Sequence, residues 1–223
     1  MNTKHAPASL LALSLVSLAL LPVGCKSPDA GPKAGPETAP MADATDAWSD
    51  DFDPPRSLRT ARLRLEPLGP EHAALDHAAF MSSRAHLHRT MHWGSWPSED
   101  MTVEQNRGDL ERHAREFVDR EGYAYTVLTL DGSACRGCVY LNPIEGQPRA
   151  MSFAYWVTAD GVEMELDEEL HAAVVEWIDE AWPVDHLVQP IHEENVRGAE
   201  LAKSLGFDAG AVEGKRTAWG RAM

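Results

Sequence analysis

Between Met151 and Phe207 the apolar positions change period twice. Ser152 to Val157 is dense in aromatic and β-branched residues and reads as a buried strand. From there the spacing turns helical: Leu170, Val174, Trp177, Ile178 and Ala181 fall on one stripe, with Asp167 as the expected N-cap and Pro183 as the stop. Leu187 to His192 reads as a second strand. Asn195 is placed to cap a short helix whose Leu201 and Leu205 turn inward, and Gly206 suits the left-handed position that ends it. A strand, crossover helix and strand of this length predict a parallel pair.

The pattern extends to both sides. Leu63 and Leu65 alternate with Arg62, Arg64 and Glu66, predicting a half-exposed strand over Leu58 to Leu68. Pro70 opens a predicted helix running to about His88. After a loop carrying Trp93, Trp96 and Pro97, Thr102 and Gln105 form a capping-box pair. The helix they start should turn Leu110, Ala114, Phe117 and Val118 inward and end at Gly122. Tyr123 to Leu130 and Arg136 to Leu141 read as strands joined through Asp131-Gly132. Turns follow at Asn142-Pro143 and Gly146 to Pro148, and a last strand is expected around Thr217 to Arg221. The resulting order is β-α-α-β-β-β-α-β-α-β, without internal repeats.

Composition divides the 223 residues into three parts. Residues 1–25 read as a targeting segment: Lys4 gives a positive start, and Leu10 to Leu21 is an apolar run too short to span a bilayer. Val23-Gly24-Cys25 resembles the end of a bacterial lipobox, with Pro22 where that motif usually has Leu, so Cys25 is the expected lipidation site. The implied location is the bacterial cell envelope, held to the membrane by lipid. Plain secretion, or a cytoplasmic product started at Met41, are the alternatives. Residues 26–56, rich in Pro, Ala, Gly and Asp, bury too little apolar area to offset their ordering entropy and read as a tether. Residues 57–223 form the expected domain. A formal charge of −15 argues against nucleic acid, whose phosphates need Lys and Arg to displace counterions.

Tyr155-Trp156-Val157, the helix through Trp177, Asn195 and Leu205-Gly206-Phe207, in that order and spacing, resemble the GCN5-related N-acetyltransferase (GNAT) superfamily. The branch most similar acetylates N-terminal alanines of ribosomal proteins. The resemblance implies an α/β (α+β) fold: a mixed, mostly antiparallel sheet with a parallel V-shaped split and flanking helices. It implies acyl transfer from acetyl-CoA to a small-molecule or peptide amine. The cofactor would pair with the backbone of Tyr155, Trp156 and Val157 and lie near Asn195, and Trp93 and Trp96 fall where the family binds its acceptor.

Several positions depart from that family's pattern. Its glycine-rich phosphate loop is here Asp160 to Glu169, with one glycine and six carboxylates in ten residues. At an effective dielectric of about 20, each charge pair a few ångströms apart opposes a diphosphate by roughly 4 kcal/mol, and no cation lies nearby in sequence. The same acids also suit a helix N-terminus. Gly198 stands where a serine is frequent, Ala202 where a tyrosine often protonates the departing thiolate, and Ser152 where an acid often serves as base. His192, Glu193 and Glu194 are the substitutes for that base. Two readings follow: an N-acyltransferase, or a non-catalytic, lipid-anchored module holding a peptide or small cationic ligand.

Two further groups carry potential chemistry. Cys135 and Cys138 have the CxxC spacing but open a strand, where residues three apart lie roughly 10 Å apart, so packing is expected over a disulfide or redox role. His86, His88 and His92 lack an adjoining Cys or carboxylate at zinc-site spacing, and no metal is expected there.

Overall fold

The computed structural model describes residues 52–223. The expected leader with Cys25, the alternative start Met41 and most of the expected tether lie outside the described residues.

Eight strands form one sheet: β1 (Leu58–Arg59), β2 (Leu63–Pro67), β3 (Tyr123–Thr129), β4 (Cys135–Pro143), β5 (Ala150–Val157), β6 (His186–His192), β7 (Asp208–Glu213) and β8 (Arg216–Ala222), in the order β1-β2-β3-β4-β5-β6-β8-β7. All neighbours are antiparallel except β5 and β6, which are parallel as the crossover pattern requires. The helices are α1 (Ala73–Ser82), α2 (Arg84–Met91), α3 (Val103–Val118), α4 (Ala159–Glu163), α5 (Leu166–Ala181) and α6 (Val196–Ser204). Among the described residues, no helix is long and apolar enough to cross a membrane.

Strand alternation sorts side chains into two cores. Tyr123, Tyr125, Val127, Val139, Leu141 and Phe153 face α5, whose Leu170, Val174 and Ile178 are fully buried against them. Each such aliphatic side chain contributes about 1.5–3 kcal/mol by leaving water. Ala124, Leu128, Cys138 and Trp156 face the other way, onto Phe80, Leu87 and Leu110 of α1, α2 and α3.

Caps and stops appear where their residue types place them. The Thr102 hydroxyl accepts from the Gln105 amide while Gln105 Oε1 accepts from the Thr102 amide, Asn195 Oδ1 accepts from the Gly198 amide at 3.0 Å, and Gly206 has φ +83°.

Other expectations need correction. The single strand over 58–68 is a tight pair of strands, because Thr60 reverses the chain with its hydroxyl against Leu63. The helix from Pro70 is a 3-10 turn followed by α1 and α2, broken at Ser83, whose backbone leaves the helical region and whose hydroxyl accepts from the Ala159 amide. Val118 is 74% exposed rather than inward; Leu110 and Phe117 define the buried face, with Asn106. The cap of α5 is Glu165 in a left-handed conformation, and Asp167 lies inside the first turn. An additional strand, β7, pairs on β8. All six of its residues are exposed, so it carries no apolar alternation to announce it. Phe52 tilts against Trp182 and Tyr125 Oη donates to the Pro55 carbonyl, so residues just ahead of Ser57 already pack on the domain.

Candidate active site

The parallel pairing of β5 with β6 lasts only three rungs, Ala150 with His186, Met151 with Leu187 and Ser152 with Val188. Beyond Ser152 the strands diverge, and β6 carries Pro190, which has no N–H for a strand bonded on both edges. The V they leave is the centre of a cavity of about 880 Å³ that passes through the sheet. Its walls include Tyr155, Asp167, Asn195 and Arg197 on the α5 side, and Trp93, Trp96, Tyr140, Trp156, His92 and His192 on the α2 side.

Every sequence-nominated cleft residue except Glu193 and Glu194 lines this cavity. The Glu193 carboxylate points to Lys215 Nζ at 3.2 Å, in solvent. Glu194 reaches back toward the cleft, its Oε2 3.2 Å from His92 Nε2. His92 and His192 stack with ring centroids 3.6 Å apart, and a nitrogen of each ring and a Glu194 oxygen lie within 4.8 Å of one another. A carboxylate therefore does adjoin His92, brought from about a hundred residues away. His88 instead meets the Pro97 carbonyl at 3.0 Å, so His86, His88 and His92 do not converge.

Hydrogen bonding fixes the roles of the two rings. The Glu194 amide donates to His192 Nδ1, so neutral His192 carries its proton on Nε2. His92 Nε2–H donates to Glu194, which leaves the His92 lone pair on Nδ1. His92 is thus the ring set to accept a proton, with Glu194 to stabilise the resulting imidazolium. Burial, then the neighbouring His92, lowers the pKa of His192 and keeps that ring neutral. His92 itself sits at φ 49°, ψ 44°, and Arg216 Nη2 donates to both the Met91 and His92 carbonyls, holding the turn.

On the α5 side, the acidic loop is not left without cations. Arg136 Nη1 meets Asp160 Oδ2 at 2.6 Å, the Arg197 guanidinium meets both Asp167 oxygens at 2.5 and 2.9 Å, and Arg62 Nε meets Glu169 Oε2 at 2.5 Å. Thr60 also donates to Glu169. Three of the six carboxylates are paired, which halves the loop's charge from −6 to −3. Among the described residues, Glu163, Glu165 and Glu168 have no ion pair of this kind. The expectation of a bare acidic loop is corrected accordingly: its cations come from the turn between β1 and β2, from β4 and from α6, too distant in sequence to be read locally. The bidentate Arg197–Asp167 pair, with Asp167 only 7% exposed at its side chain, ties the starts of α5 and α6 together across the cleft.

Other departures also have local causes. A Cβ on Gly198 would lie 2.7–2.9 Å from the Asn195 side chain, so the cap of α6 excludes a larger residue there. Ala202 is fully buried, placing no donor in the cleft. Ser152 stands at the fork itself. Beneath the fork, Tyr155 Oη lies 3.3 Å from His171 Nδ1, and Gln189 lies beside that ring. Burial brings His171 down to about 4 and pushes Tyr155 up, so both stay neutral.

The sequence profile described as Acetyltransferase (GNAT) domain matches residues 62–208. Comparison with curated protein sequences found no match. Among solved structures, RimL, the ribosomal L7/L12 alpha-N-protein acetyltransferase in complex with coenzyme A, superposes with TM-score 0.64 at 14% identity, over 75% of this chain and 98% of that one. The ribosomal-protein-S5-alanine acetyltransferase of Vibrio fischeri gives TM-score 0.59 at 15% identity, over 74% and 96%. The microcin C7 self-immunity acetyltransferase MccE, in complex with acetyl-CoA and AMP, gives TM-score 0.59 at 13% identity, over 74% and 94%. With the mixed sheet, the single parallel split and a profile match over most of the domain, the chain belongs to the GNAT acetyltransferase family.

Proposed function

We propose that the protein is a working acyltransferase that moves an acyl group from acyl-CoA to the amine of a peptide or small molecule. The observation that carries this reading is the V-shaped opening past Ser152, with its half-neutralised acidic loop on one side and a histidine–carboxylate group on the other. The residues present fit an acyl-CoA. The edge of β5 from Phe153 to Val157 has no β6 partner and leaves backbone donors and acceptors for an extended amide-bearing chain. The first turn of α5 offers amides and the positive end of a helix, with Asp167 neutralised by Arg197.

When bound, acyl-CoA supplies the activated thioester carbonyl. The chain's own residues do the rest. Trp93, Trp96, Tyr140 and Trp156 wall the acceptor side with aromatic surface and exclude water. An ammonium has no lone pair for attack, so its proton must leave first; His92 Nδ1 accepts it and Glu194 holds the imidazolium. Arg216 keeps the turn carrying His92 in place.

A second reading rests on two observations, the lipobox-like leader and the three carboxylates Glu163, Glu165 and Glu168, which have no ion pair among the described residues. It is a non-catalytic module, lipid-anchored through Cys25 in the cell envelope, whose cleft holds a peptide or small cationic ligand. The readings separate in one assay. The full chain is incubated with acetyl-CoA and a library of peptides with free amino termini, and products are read by mass. Acetylated peptide at a rate above the uncatalysed background, lost in His92→Ala, supports the transferase; peptide binding without acetylation supports the module.

A further inference from the structure

The transferase reading leaves unused a buried group on the opposite side of the sheet from α5. Residues i and i+3 of a regular strand point to opposite faces, so Cys135 and Cys138 should diverge. They do not, because β4 carries a bulge: Leu128 pairs with Cys135 while Val127 pairs with Gly137, and Arg136 is the extra residue. The inserted residue turns both sulfurs to the α1 side, where Asp76 of α1 meets them. Cys138 Sγ is 3.2 Å and Cys135 Sγ 4.0 Å from Asp76 Oδ1, and all three side chains are buried. Both thiols are free. The bulge brings the two sulfurs within 4.8 Å of each other, which an unbroken strand would not do.

We propose that Cys135, Cys138 and Asp76 form a binding site for a soft divalent transition metal, Zn2+ by the chemistry of its donors. With metal–sulfur bonds near 2.3 Å and metal–oxygen bonds near 2.1 Å, tetrahedral coordination sets neighbouring sulfur and oxygen ligands roughly 3.5 Å apart. The two observed separations bracket that value, so an ion enters with shifts of about half an ångström. Two thiolates and a carboxylate favour Zn2+ over the hard cations Mg2+ and Ca2+. The surroundings complete the arrangement. Asn106 Nδ2 donates to Asp76 Oδ2 at 2.9 Å and to the Ala73 carbonyl at 3.1 Å, orienting the carboxylate, and Thr126 Oγ1 donates to Cys135 Sγ at 3.8 Å. Cys135 also lines a second, solvent-connected cavity beside Ser83 and Thr158, which gives an ion its entry and a water the fourth position. The site would pin α1 to β4.

Co2+ reports on such ligands directly. The test uses the full chain as its Cys25→Ser variant, fully reduced and free of metal, titrated anaerobically with Co2+ and then with Zn2+. The expected result is one tightly held ion per chain, with tetrahedral visible bands and a near-ultraviolet thiolate-to-cobalt transition that Zn2+ abolishes. Saturation with Zn2+ should raise the melting temperature by about 5 °C. Cys138→Ser should roughly halve the thiolate transition. The parent titration needs no variant to fold: absence of the transition at saturating Co2+ would overturn the proposal. So would a transition that persists unchanged in both Cys135→Ser and Cys138→Ser, or closure of the pair to a disulfide by glutathione disulfide at the same rate with and without Zn2+.

Discussion

In the proposed transfer His92 and Glu194 act through one hydrogen bond, and substitutions there should separate catalysis from binding. His92→Ala is expected to lower kcat by about 10²–10³ while leaving the KM for acyl-CoA within a few-fold, since the ring lies across the sheet from the cofactor side. Glu194→Gln should cost roughly tenfold, by removing the charge that stabilises the imidazolium. Glu193→Gln, whose partner is Lys215 in solvent, should change kcat less than about twofold. Steady-state kinetics on the three variants checks the ranking. At this scale the sequence was half legible. His192 and Glu194 were exposed as candidates by their place at the end of a strand. His92 sits a hundred positions earlier at the end of an unrelated helix, and the stacking of the rings and its hydrogen bond to Glu194 join them only in the fold. Arg62, Arg136 and Arg197 were hidden for the same reason: charge pairing across a fold leaves no local spacing to read.

Among the elements, β4 and β5 leave no room for a side chain at Gly137, where a Cβ would stand 2.0 Å from the Trp156 carbonyl oxygen. Gly137→Ala must push the strands apart at the bulge, and a loss of more than about 3 kcal/mol is expected in urea denaturation. The start of α5 makes a second, milder prediction. Arg197→Ala leaves the Asp167 carboxylate, largely buried, facing the cleft without its partner. Acyl-CoA affinity should fall roughly tenfold, the effect of one unpaired charge a few ångströms from a diphosphate in a partly solvated site. Titration calorimetry on the variant measures it. The strands and helices that pack a strong apolar face, β5, α5 and β6, were plain in the sequence because burial writes its period into the chain. Those without such a face were not: β7 is exposed at every position, and the break between α1 and α2 depends on a hydroxyl at Ser83 serving a distant amide.

The whole molecule carries a buried neutral histidine under its cleft, and that ties stability to pH. His171 is brought down to about 4 from 6.5 by burial, so between those values the unfolded chain binds a proton that the folded chain does not. Stability therefore falls as pH drops through that window and becomes insensitive to this group below it, a contribution on the order of 3 kcal/mol. Urea midpoints across the window should show the slope, and His171→Phe should flatten it. The larger question is whether a chain with a lipobox-like leader and a net charge of −15 still uses the cofactor of its family. In the proposed reading, long-range pairs return half of the acidic loop's charge to neutrality and so favour the cofactor. Calorimetric titration of the full chain with acetyl-CoA tests this most directly. One site with micromolar affinity is expected; no heat at millimolar acetyl-CoA would mean that the acidic loop still turns the cofactor away.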